Sequence, residues 1–166
     1  QKDTVYKKKK SVVFTLPAIQ YFFELPLRLK NAPILKYAGT KEFEGSEYDL
    51  VFATWDRLEP HKEHDQYLLY FDRNSGMLSF ASYTVRGMYL SLVPRNIYGS
   101  IHFTDIKTNK DGIHYPGKMF VQLNRLKNKK RGFHTITVDS LKLNNFDRAK
   151  LYPNKNIDFL GDGKQE

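Results

Sequence analysis

Cysteine is absent from the 166-residue chain, which excludes disulfides, thiolate metal sites and cysteine nucleophiles in one step and leaves the redox compartment open. Long apolar runs are missing as well. The most hydrophobic stretch, Val12 to Leu29, is interrupted by Pro17, Glu24, Pro26 and Arg28, so it falls short of the ~20 apolar residues that a membrane-spanning helix needs. No serine sits in a Gly-x-Ser-x-Gly elbow and no glycine-rich phosphate loop follows a strand, which removes the commonest hydrolase and nucleotide signatures. No charged-then-apolar leader precedes the folded part and the first residue is Gln1, a pattern that reads as a processed or trimmed product. Repeats and low-complexity segments are also absent.

What the chain does have is aromatic residues, 12 Phe and 11 Tyr, a bias that favours strands over helices. A chain of this length buries roughly two-thirds of its unfolded surface and needs no metal or cross-link to be stable, so one domain is expected across residues 1–166. The net charge of +9 suggests nucleic acid until it is located. Lys2 and Lys7 to Lys10 against Asp3 give +4, and Arg125, Lys127, Lys129, Lys130 and Arg131 give +5. The other residues carry 17 positive and 17 negative charges, so the body offers no broad basic face for a phosphate backbone. The two runs read as a solvated terminus and a solvated loop, and nucleic acid is disfavoured as a partner; contact with an anionic membrane surface is the other use such runs have.

Along the chain, Asp3 to Lys10 reads as an edge strand or extended arm. Ala18 to Leu25 reads as a short helix with Pro17 at its first position, ended or kinked by Pro26. Asn31, Pro33 and Gly39 mark loops. From Ser46 the pattern turns to period two. Glu47 to Asp56 places Tyr48, Leu50 and Phe52 on one face and Val51, Ala53 and Trp55 on the other, a strand apolar on both sides and therefore central or covered. Gln66 to Asp72 and Met77 to Arg86 form a hairpin closed at Gly76; Ile97 to Thr108 and Ile113 to Leu126 form a second around Asp111-Gly112. Pro116 places one end of its strand at an edge or bulge. Phe133 to Leu143 is the last of five or six strands, which short turns make an antiparallel meander.

The candidates for chemistry are few. His61, His64 and Asp65 share one loop, but their spacing matches no known ligand pattern and a solvated polar loop is the plainer reading. His102, His114 and His134 fall in or beside strands, where a satisfied structural imidazole is expected. No enzyme, metal or cofactor is expected. The segment Tyr21-Phe22-Phe23-Glu24-Leu25-Pro26 either fills the core of a curved sheet or forms a lid over an apolar cavity, two outcomes that periodicity does not separate.

Phe22-Phe23-Glu24-Leu25-Pro26-Leu27, Tyr48-Asp49-Leu50-Val51 with Thr54-Trp55, the run Asp65 to Asp72, and Ser82-Tyr83-Thr84-Val85 together resemble a family of envelope proteins from Bacteroidetes-type bacteria. That family is similar in fold to the outer-membrane lipoprotein carriers of lipoprotein sorting. The resemblance spans about Phe14 to Pro153 and implies a mainly β fold, an unclosed antiparallel half-barrel with one or two short helices on its concave side. It further implies an exported protein, periplasmic or associated with the outer membrane. By analogy with the carriers it implies a cavity for a lipid, acyl chain or lipoprotein. Such carriers have further strands before the plug helix, where this chain has only Gln1 to Phe14; either a longer precursor completes the fold or one edge stays incomplete.

The leading expectation is a non-enzymatic binder of an apolar ligand, held between the sheet and Ala18 to Leu29 and lined by Phe22, Phe23, Phe52, Phe71, Phe80 and Phe103. The alternative is an interaction module that pairs with a partner through an open sheet edge.

Overall fold

The computed structural model describes residues 10–59, 64–86, 98–123 and 134–147. Two short helices, α1 (Lys10–Phe23) and α2 (Leu25–Leu29), precede seven strands: β1 (Ile34–Phe43), β2 (Ser46–Thr54), β3 (Tyr67–Asp72), β4 (Leu78–Thr84), β5 (Tyr98–Thr108), β6 (His114–Leu123) and β7 (His134–Thr137). The strands lie in sequence order in one antiparallel sheet. The sheet is mainly β architecture left open as a half-barrel, with both helices on its concave side.

Helix α1 begins earlier than Ala18 and carries Pro17 inside it rather than at its first position. Pro26 acts as expected: its ring nitrogen has no proton to give the preceding turn, and the helix breaks at Glu24, with φ −89° and ψ 2°, before α2 resumes. Glu24 ties the two pieces together, since its carboxylate accepts from Gln20 Nε2 at 3.0 Å and pairs with Arg28 at 2.7 Å, each one turn away. Leu25 and Leu29, also one turn apart, share the inward face of α2 and are the best-buried leucines among the described residues. Burying each contributes roughly 1.5–3 kcal/mol.

Beneath them, the sheet supplies Ala53, Tyr67, Leu69, Ala81, Ile101 and Met119, and α1 adds Tyr21, Phe22 and Phe23 at the margin. Small Ala53 and Ala81, both fully buried, belong to this layer. The opposite face carries a second, aromatic cluster of Tyr48, Leu50, Tyr70 and Phe80, with Phe43 and Leu68 beside it. The two-sided apolar pattern of β2 thus reflects two clusters, one on each face.

The β3–β4 and β5–β6 hairpins follow the alternation. At the first turn Asp72 Oδ1 accepts from the backbone N–H groups of Asn74 and Ser75 while Gly76, at φ 69°, completes the reversal. Pro116 lies just beyond the part of β6 that β7 covers, Lys118 to Val121, so its missing N–H deprives no second neighbour.

Three expectations change. Gly39 is not in a loop but in β1, at φ 92°, where a register shift between Tyr37 and Thr40 inserts one extra residue against β2. The last strand stops at Thr137 instead of Leu143; beyond it the Val138 N–H still bonds to the Gly117 carbonyl at 2.9 Å and the Val138 carbonyl accepts from Lys107 Nζ at 3.2 Å. The sheet has seven strands, one more than the largest number expected. The arm Asp3 to Lys10, apart from Lys10 itself, and the basic loop Lys127 to Gly132 lie outside the described residues.

Candidate functional site

At one end of the helix–sheet contact the packing leaves an open groove of about 220 Å³. Three aromatics from three elements wall it: Phe23 at the end of α1, Phe71 at the end of β3 and Phe103 in β5. Pro26 of α2, Gly76 and Met77 of the β3–β4 turn, Leu78 at the start of β4, and Ile106, Tyr115 and Pro116 of the β5–β6 hairpin add to the wall, with His114 the only ionisable side chain besides the Tyr115 phenol among the described residues. The groove lies where the end of α1 and the start of α2, at Phe23 and Pro26, face the β3–β4 turn and the turn-proximal part of the β5–β6 hairpin. Phe23 and Tyr115 meet at 6.4 Å between ring centroids. The imidazole Nδ1 of His114 lies 2.9 Å from Thr108 Oγ1 across the hairpin, which fixes the ring.

The six expected lining residues divide. Phe23, Phe71 and Phe103 reach the groove. Phe22 packs instead on Tyr83, with centroids 5.3 Å apart, in an aromatic group with Tyr21, Tyr67 and Trp55. Burial pushes the phenols of Tyr67 and Tyr83 far above their ordinary range, so this group stays neutral. Phe80 lies on the opposite face with Tyr48 and Tyr70, and Phe52 alternates onto that same face with Leu50. A single cavity under the helices therefore has no place for Phe52 or Phe80. Pro26, Met77, Ile106, Tyr115 and Pro116 went unread; the cross-strand pair Ile106 and Pro116, two apolar residues opposed at a hairpin end, was the available signal.

Asp65 is taken up structurally rather than as a ligand. Its Oδ1 accepts from the Arg86 backbone N–H at 2.7 Å and the Thr84 hydroxyl at 3.2 Å, tying the start of β3 to the end of β4. Burial raises its carboxyl above the usual range, against the pull of those two donors. Among the described residues no three metal-binding side chains converge, and His61 lies outside them.

His102 departs from the satisfied imidazole that its position suggested. It faces outward on β5, buried, and its Nε2 has no hydrogen-bond partner among the described residues; Ser100 Oγ on the same face is in the same state. A larger depression of about 760 Å³ lies between the β5–β6 turn and residues 142–145, but two lysines, an aspartate and two asparagines line it with one leucine among the described residues.

Comparison of the chain with protein-family models, curated proteins and solved structures gives no match, so the site is read from its own geometry.

Proposed function

We propose that the protein is a non-enzymatic binder of an apolar ligand, a lipid or acyl chain among the candidates, which inserts one ring or chain end into the groove of Phe23, Phe71 and Phe103. The observation that carries the reading is the convergence of these three aromatics from separate elements on one open, unfilled space, although the helix–sheet contact beside it is closed by Leu25 and Leu29. On the resemblance of its sequence to bacterial envelope proteins, we further propose a location in the periplasm or at the outer membrane. Titration with a fluorescent fatty-acid probe tests it. A saturable signal in the wild type, weakened by Ile106→Glu at the exposed rim, is expected; no signal, or one indifferent to this charge, overturns it.

One observation favours the alternative of strand pairing. β1 runs for ten residues with β2 as its partner and keeps most of its side chains exposed. Its bulge at Gly39 and its Lys36 and Lys41 oppose such pairing, since a kinked, charged edge is a poor template. A stable dimer in a native mass spectrum would bring this reading forward; a bound lipid would favour the first.

A further inference from the structure

We infer that the groove is selective for a single-ring aromatic carboxylate, with the ring among Phe23, Phe71 and Phe103 and the acid group at His114. The inference rests on the apolar-ligand reading and narrows it.

Size decides the first part. Drug-sized ligands occupy pockets of about 300–1,000 Å³, and benzene fits an apolar cavity of about 150 Å³. At about 220 Å³ the groove has room for one ring with a short tail, and too little for the whole of a long acyl chain. The walls decide the second part. Phe23, Phe71, Phe103 and Tyr115 offer ring faces and edges, and Met77 offers a thioether; both kinds of surface make directional contacts with an aromatic ring that an aliphatic chain does not share.

His114 decides the third. Its Nδ1 is held by Thr108 Oγ1, which leaves Nε2 as the ring atom available to a ligand. When the Thr108 hydroxyl donates to Nδ1, the neutral ring carries its proton on Nε2; the imidazolium carries one there as well. In these two states Nε2 donates and matches an acceptor headgroup; in the other neutral tautomer, with Nδ1–H donating to Thr108, Nε2 accepts and matches a carboxylic acid O–H. A carboxylate is a strong acceptor small enough to sit at the end of a one-ring ligand, and its bond to an imidazolium is charge-assisted. The rest of the wall is almost wholly apolar, so the charged end has one place to lie, at the rim.

The test uses the full chain with its methionine methyl groups labelled for NMR, titrated with toluene and with 3-phenylpropionate. Both probes are expected to shift the Met77 methyl saturably, with 3-phenylpropionate binding at least fivefold more tightly than toluene. His114→Ala should erase that margin and leave toluene unchanged; Thr108→Val, which frees the ring without removing it, should reduce the margin. If toluene shifts Met77 but the acid gains nothing from His114, the inference falls and the apolar-ligand reading stands. Failure of both probes to shift Met77 overturns the two together.

Discussion

The imidazole of His102 stands edge-on to the ring of Phe80, with centroids 4.6 Å apart and planes at 87°. The contact crosses from β5 to β4, where the two residues are directly paired. It sets an imidazole in an aromatic surrounding that suits the neutral ring, and burial lowers its pKa below the ordinary value of 6.5.

A pH dependence follows with a definite sign. In the unfolded chain His102 takes up a proton near its ordinary pKa, and in the folded chain only at lower pH, so between the two values the unfolded state binds more protons. The stability that His102 contributes is complete above about pH 6.5, the ordinary histidine value, and is lost as pH falls through the folded pKa. Urea midpoints at pH 7.5 and 5.5 should fall by less in His102→Leu than in the wild type. An equal fall would show that the imidazole titrates normally.

The groove predicts unequal roles for two adjacent phenylalanines. Phe23 lines it and Phe22 packs on Tyr83, so Phe23→Ala should change the affinity of the fatty-acid probe by tenfold or more, about 1.4 kcal/mol, while Phe22→Ala leaves it within twofold. Probe titration of both folded variants checks this; equal effects would move the site away from the end of the helices.

Helix α2 predicts a contrast in stability. Leu25 is 0% exposed and Leu27 is 64% exposed. Leu25→Ala should cost about 2–5 kcal/mol through lost burial and an unfilled cavity. Leu27→Ala should stay within about 0.5 kcal/mol. Chemical denaturation of the two variants measures both, and a small loss at Leu25 would mean that the plug is loosely seated.

At the β3–β4 turn, Gly76 has φ 69° and open space where a side chain would project. Gly76→Ala should therefore cost only the left-handed backbone penalty, about 1–2 kcal/mol, without a steric clash. Because Met77 and Gly76 also line the groove, the same variant should keep its affinity for the probe if the turn keeps its shape. Thermal denaturation and probe titration together separate the two effects.

How far the sequence could be read varied with the range of the interactions concerned. The β3–β4 and β5–β6 hairpins were legible because alternation and a glycine-bearing turn are written in neighbouring residues, and neighbours in sequence are neighbours in the sheet. The break at Pro26 was legible for the same reason, since a missing N–H acts on its own turn. β1 was not. Its Gly39 carries a loop signal, and only pairing with β2 turns that signal into a bulge.

The site divides in the same way. That Phe22, Phe23, Phe52, Phe71, Phe80 and Phe103 are mostly sequestered follows from aromatic residues in strands and an apolar helix. Which of them meet does not. Period two assigns Phe52 and Phe80 to one face or the other, but both faces of β2 are apolar, and only the docking of Leu25 and Leu29 decides which face lies under the helices. The groove depends on a still longer-range relation, the placing of the end of α1 against the β3–β4 turn and the β5–β6 hairpin. By itself the sequence determined that β2 to β7 are strands, the two tight hairpin turns and the antiparallel order, because these are settled by contacts between near neighbours. The covered face, the burial of His102 and the space between Phe23, Phe71 and Phe103 were decided by the tertiary structure alone, because volume and burial belong to the packed assembly and to no single segment of it.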